Sequence, residues 1–207
     1  MISHKYKFYF QHIPKCAGTS IANHFEQLHT RTNSIDQLIF NGHEPYRDAV
    51  KGFDYKNYYI FTFVRNPWDR VVSLFHFRKR WITEGDHGYH PAHWPPAEEI
   101  LNDNFKTFIH KDSLNTNESI HYLEEPCFHH TWLANDIISK FNYIGKVETA
   151  QEDFKNICND LKINDHDLPH ANKSKHKRYI EYYDEETKQI VAEKYAKDIE
   201  VFGYKFD

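Results

Sequence analysis

Residues 8–21 read Phe8-Tyr9-Phe10-Gln11-His12-Ile13-Pro14-Lys15-Cys16-Ala17-Gly18-Thr19-Ser20-Ile21. The apolar and aromatic run from Tyr6 to Ile13 has the composition of a buried strand. Pro14 cannot donate to a ladder and stops it. Gly18 permits a close approach to the backbone, and Thr19 or Ser20 can cap a helix that follows. A small-residue turn before a helix N-terminus gathers several N–H groups at one point, which suits phosphate or a related oxyanion. Lys15 adds a full positive charge there. The stretch predicts strand, turn and helix around an anion. It is not a Walker-type phosphate loop, because its Lys precedes the only Gly.

A second stretch, Asn57 to Asn66, predicts another short strand, apolar enough to be buried on both faces of a parallel sheet. Asn66 is a good N-cap and Pro67 a good first helical residue, with Asp69 in the first turn. The helix is expected from Trp68 to about Trp81, with Val71, Val72, Leu74, Phe75 and Phe77 inward. Arg65 at the strand's carboxyl end and Ser73 on the helix can converge on a second anion, and an Arg fork with a hydroxyl suits a phosphate monoester. The residues alone equally allow an Arg paired with Asp69 and a Ser bonded to backbone.

The 207 residues suffice for one domain with a substantial core. Hydrophobic residues make up 40% and aromatics 16%, which argues for a folded α/β protein against a disordered chain. The net charge of −4 gives no support for nucleic acid as a partner. The three cysteines, Cys16, Cys127 and Cys158, are far apart and form no CxxC pair, so no disulfide framework is expected. Cys127-Phe128-His129-His130 lacks a second ligand pair, and no metal is expected. No leader-like or membrane-spanning apolar run occurs, which predicts a cytoplasmic setting, peripheral to a membrane only if the substrate is lipid-linked.

Further along, residues 82–98 break periodicity as a long loop in which Tyr89, His90, His93 and Trp94 could face a sugar. Residues 98–110 regain helical spacing, and Cys127–Ile138 is expected as another helix. Phe141–Val147 predicts a third strand, followed by Thr149 and Glu152 as a capping box opening a helix to about Leu161. Lys173, Lys175, Lys177 and Arg178 form a local positive patch in an acidic chain. A last helix starts after Asp184 and stops at Gly203.

Pro14-Lys15-Cys16-Ala17-Gly18-Thr19-Ser20 after a strand resembles the 5′-phosphosulfate loop of sulfotransferases. Phe63-Val64-Arg65-Asn66-Pro67-Trp68-Asp69-Arg70-Val71-Val72-Ser73 resembles their 3′-phosphate motif, in the expected order and about 50 residues later. Tyr143-Ile144-Gly145-Lys146-Val147-Glu148, Asn172-Lys173-Ser174 and the closing Tyr195–Phe206 segment are similar too. The chain is thus similar, over essentially its whole length, to family 2 sulfotransferases of the bacterial, carbohydrate-directed type.

The resemblance implies an α/β fold of the P-loop NTPase-like kind, with a mostly parallel central sheet flanked by helices, and one catalytic domain over 1–207. It implies 3′-phosphoadenosine 5′-phosphosulfate (PAPS) as sulfuryl donor, adenosine 3′,5′-bisphosphate (PAP) as product, no metal, and a carbohydrate hydroxyl as acceptor. Donor contacts would fall to Lys15, Cys16, Ala17, Gly18, Thr19, Ser20, Arg65, Ser73, Asn172, Lys173 and Ser174. Lys15 would stabilise the leaving group. Glycosaminoglycan sulfotransferases place a Gly-His pair between the two donor motifs, and Gly42-His43 matches it, so His43 is the expected base, with His12 and Glu44 behind it. A thiol at Cys16, beside Lys15 at a helix start, is expected to have a lowered pKa, and whether that makes activity redox-sensitive is a question the residues leave open. The competing readings are a non-catalytic binder of nucleotides or sulfated glycans, and a P-loop kinase-like phosphotransferase. A protein-tyrosine sulfotransferase is disfavoured by the absence of a visible secretory signal or anchor.

Overall fold

The aromatic run at the start of the chain forms its strand where the side chains alternate between two buried faces. A computed structural model describes residues 1–32, 38–39, 48, 54–84, 101–102, 104–111, 126–128, 132–133, 135–169 and 177–207, with the backbone alone at Trp81 and Lys111. The chain divides into two compact units, Met1–Arg65 with Cys127–Lys173 and Asn66–Pro126 with Ser174–Asp207.

The first unit holds a five-stranded sheet: β1 (Ile2–Ser3), β2 (Phe8–Gln11), β3 (Leu38–Ile39), β4 (Tyr59–Val64) and β5 (Tyr143–Lys146), in the order β3-β1-β2-β4-β5. β2, β4 and β5 run parallel, as the continuous apolar sequence of β4 predicts for that strand. β1 and β3 extend the sheet antiparallel from one edge, so the sheet is mixed, with its parallel part at β2-β4-β5. The two added strands are two residues each, too short to leave a periodic signature.

Register sorts the side chains by face. Phe8 and Phe10 share one face with Phe61, and Phe8 packs on Phe25 at 4.4 Å between ring centroids. Phe25 belongs to helix α1 (Gly18–Arg31), and it meets Phe154 of a helix introduced below at 5.7 Å. The opposite face carries Tyr9 and Ile60, covered by Ile137 of the short α4 (Asn135–Ile138). Phe63 lies against Gly145, where a Cβ would come within 2.6 Å of its ring, so only glycine fits at that position of β5. After β5 comes a single 3₁₀ turn, Val147–Thr149, and then α5 (Ala150–Asp160), which bears Phe154, Ile157 and Cys158.

The expected capping box at Thr149 and Glu152 is not formed. The Thr149 hydroxyl donates instead to Asp153, which also accepts from the Lys146 amide and the Tyr143 hydroxyl. The helix expected over Cys127–Ile138 is likewise shorter: among the described residues only Asn135–Ile138 is helical, and Cys127 and Phe128 form a bend.

The second unit is helical: α2 (Pro67–Glu84), α3 (Phe105–Lys111), a 3₁₀ turn at Tyr179–Tyr182, α6 (Glu185–Lys194) and α7 (Ala196–Phe202). Its core joins Trp68, Val71, Val72, Leu74 and Phe75 of α2 to Phe105, Phe108, Val191 and Tyr195. The predicted single last helix is two, divided at Tyr195. Asp184 caps α6 as expected, accepting from the Thr187 amide at 2.8 Å, and Gly203 ends α7 with φ 68°.

Candidate functional site

Parallel pairing puts the carboxyl ends of β2 and β4 side by side, and the two signature segments leave the sheet there. Thr62 Oγ1 donates to the Gln11 carbonyl at 2.8 Å, which fixes the last turn of the pairing. One step further, Arg65 Nη1 donates to the carbonyl oxygen of Lys15 at 3.3 Å. Two cationic side chains separated by 50 positions are therefore tied together through the backbone of the first segment.

The turn between β2 and α1 is held by the Cys16 amide, which donates to the Ile13 carbonyl at 3.3 Å. Lys15 and Ala17 both adopt positive φ, 64° and 61°. A left-handed residue other than glycine costs about 1–3 kcal/mol, and such strain gathers where function over-determines the backbone. Ala17 is the N-cap of α1, so neither Thr19 nor Ser20 is. Both lie inside the first turn, Thr19 exposed and Ser20 buried. Ala17 offers no side chain to the helix start, and no acidic residue stands in the first turn. The first bond of the helix runs from the Ile21 amide to the Ala17 carbonyl at 3.2 Å, which leaves the Gly18, Thr19 and Ser20 amides outside the helical ladder. This end of α1 has the polarity and the donors of an anion site.

Gly18 is required there by a neighbour. A Cβ on it would come within 1.8 Å of both Cδ2 and Nε2 of His12. The imidazole thus occupies the space of the missing side chain. It stacks on Phe10 (5.8 Å between centroids, 21° between planes), and Phe10 stacks on Phe61. A file of rings from β4 across β2 ends against the first residue of α1. His12 was legible only as a reserve base, and nothing in its spacing signals this contact.

Cys16 is 1% exposed, and its Sγ lies 3.8 Å from that of Cys127, which is fully buried. Cys127 stood out in the sequence beside His130, which is outside the described residues. On α1 itself, His24 is buried between the rings of Phe25 and Phe154, with Nδ1 3.1 Å from the Asp167 carbonyl. Desolvation holds its pKa below the ordinary 6.5.

The start of α2 is built otherwise. Asn66 Oδ1 accepts from the Trp68 amide at 3.1 Å, and its Nδ2 donates to the Lys205 carbonyl at 2.9 Å. Asn66 is 5% exposed and fastens the helix start to the end of the chain. Ser73 lies half-buried on α2. Arg65 is the last residue of the first unit and Ser73 belongs to the second.

The structure thus brings Lys15, Cys16, Ala17, Gly18, Thr19 and Ser20 together with Arg65. His43, Glu44, Asn172, Lys173 and Ser174 lie outside the described residues, as do Tyr89, His90, His93 and Trp94. Among the described residues no group of three or more His, Cys, Asp or Glu could hold a metal ion, and no helix is long and apolar enough to cross a membrane.

Comparison with known proteins gives one result over nearly the full length: the model of the sulfotransferase family matches residues 1–205. No curated protein matches the chain. No solved structure matches it.

Proposed function

Because this chain belongs to the sulfotransferase family, we propose that it moves a sulfuryl group from PAPS to a hydroxyl of a carbohydrate, residues 1–207 acting as one catalytic domain. The observation that carries this reading is the hydrogen bond from Arg65 to the Lys15 carbonyl, which joins the two signature segments beyond the carboxyl ends of β2 and β4. The residues fit a doubly phosphorylated donor. A cation, a guanidinium fork and a helix start without its own cap stand together, with no acid in the first turn to compete.

When bound, the donor supplies an activated sulfuryl group whose leaving oxygen belongs to a phosphate of low basicity. Lys15 and the first amides of α1 stabilise charge on that oxygen. Arg65 and Ser73, with Asn172, Lys173 and Ser174, hold the phosphates and fix the donor's orientation, and positioning supplies much of the rate in transfers of this kind. His43 accepts the proton of the acceptor hydroxyl, as a neutral imidazole can near pH 7.

Calorimetric titration with PAP tests the reading, with 5′-AMP and ATP–magnesium as controls. Binding is expected to need the 3′-phosphate and no metal, and to collapse in Arg65→Ala. A preference for ATP–magnesium, or no binding, overturns it in favour of a phosphotransferase or another ligand. His43→Ala is expected to lower turnover about 10²–10⁴-fold with PAP affinity unchanged. Full turnover in that variant removes His43 from the mechanism.

A further inference from the structure

Two of the three cysteines, 111 positions apart, meet with their sulfurs at 3.8 Å, and one of them lies inside the Pro14–Ser20 turn. Both side chains are buried, at 1% and 0% exposure, so neither thiol is turned toward solvent. We propose that Cys16 and Cys127 form a site of reversible oxidation, closed to a disulfide by a small hydroperoxide, and that closing it disables the turn for anion binding. The consequence for binding rests on the donor reading above; the modification itself does not.

The chemistry balances with hydrogen peroxide as oxidant. One thiol, as thiolate, attacks the O–O bond. An S–O bond forms, the O–O bond breaks, and the departing hydroxide takes up a proton as water. The second sulfur then attacks the sulfenic sulfur. An S–S bond forms, the S–O bond breaks, and the hydroxyl leaves as a second water. The two thiols lose two electrons and the peroxide gains them. A dithiol reductant reverses the step by exchange.

The geometry gives the oxidation its effect. A disulfide needs about 2.0 Å between sulfurs, so a pair now 3.8 Å apart must close by roughly 1.8 Å. Cys16 is flanked by Lys15 and Ala17, both at positive φ, and its amide is bonded to Ile13. Its backbone is thus tied on both sides, so closure that displaces it displaces its neighbours. Movement is passed to the Lys15 carbonyl that accepts from Arg65, and to Ala17, the cap of α1. Cys158, the remaining cysteine, is buried on α5 and supplies an internal control for the mapping.

The experiment exposes the full chain to graded hydrogen peroxide and reads it in two ways. Intact mass and non-reducing peptide mapping are expected to show loss of two hydrogens and a Cys16–Cys127 linked peptide, reversed by dithiothreitol, with Cys158 unchanged. Calorimetry is expected to show PAP affinity falling about tenfold or more in the oxidised protein and returning on reduction, the scale of one lost charge-assisted hydrogen bond. Cys127→Ser, or Cys127→Ala if the serine is not tolerated in the core, is expected to bind PAP normally and to keep that affinity after peroxide. Absence of the linked peptide, or a linked protein that binds PAP like the reduced one, overturns the proposal. If the reduced protein does not bind PAP, the donor reading fails, and the mass and mapping still decide whether the thiol pair is an oxidation site.

Discussion

The two strand-to-helix junctions of this chain look alike in sequence and begin their helices in opposite ways. At the first, Ala17 caps α1 with a left-handed backbone and no side chain to give, and Lys15 beside it is left-handed too. At the second, Asn66 serves the Trp68 amide with one end of its carboxamide and the Lys205 carbonyl with the other. The α2 start satisfies its polar groups from within the protein and is a structural joint. The α1 start is entered through two left-handed residues and receives no hydrogen bond from an N-cap side chain. The two helix starts thus differ in whether an N-cap side chain serves the first turn.

The largest effect that breaks the contrast is expected from Lys15→Ala. Turnover should fall about 10²–10³-fold, the scale for removing one main stabiliser of developing charge, with the melting temperature little changed. A fall in melting temperature that accounts for the lost activity would make Lys15 a structural residue like Asn66.

Next is Gly18→Ala. The added methyl meets the His12 ring, and overpacking of this kind costs about 1–3 kcal/mol, read as a shift in the urea midpoint. The double variant His12→Ala/Gly18→Ala should recover much of that stability. An unchanged midpoint in the single variant would mean that the imidazole swings away at no cost.

Asn66→Ala removes a cap and a tether, and a loss of about 0.5–2 kcal/mol is expected, near the upper end because the Lys205 carbonyl also loses its donor. PAP affinity measured under native conditions should move far less than in Arg65→Ala. Equal losses in the two variants would erase the distinction between the junctions.

The smallest effect is a pH dependence within α1. His24 has a lowered folded pKa, so the unfolded chain binds its proton first as pH falls. Stability from this residue is full above the ordinary 6.5 and is lost as pH drops from there toward the folded value, at no more than about 1.4 kcal/mol per pH unit. The slope of unfolding free energy between pH 7 and 5 should be shallower in His24→Gln than in the parent. Parallel slopes would show that His24 is protonated equally in both states.

Much of this was legible in the residues. Phe8–Gln11 announces a buried strand because it is aromatic and followed by Pro14, and Tyr59–Val64 announces a parallel one because its apolar run is continuous. Pro67 and Asn66 announce α2 because each has one preferred place at a helix start. Ile21, Phe25 and Leu28 mark the inner face of α1 by their spacing. The misreadings have physical causes. Thr19 and Ser20 are good caps in isolation, but the turn brings the chain into the helix at Ala17, two residues earlier. Thr149 looked like half of a capping box, yet its hydroxyl is engaged as a donor to Asp153 and caps no amide of the helix. Trp132 and Leu133 are fully buried as a helix packed through them would be, yet neither is helical, so their apolar character reported burial and not helix. The contacts of His12 with Gly18 and of Cys16 with Cys127 depend on tertiary approach, and neither pattern nor propensity carries that.

The pairing of β2 with β4 also has a kinetic side. Lys15 and Arg65 meet only after a segment of 50 positions has closed on itself, and parallel strands cannot pair through a tight hairpin. The entropy of that closure must be met before any contact at the junction repays it. No short fragment of this chain can therefore preform the junction. Anything that binds across Lys15 and Arg65 acts as a clasp on a long-range contact, and it should protect the molecule most in the step by which those two strands come apart.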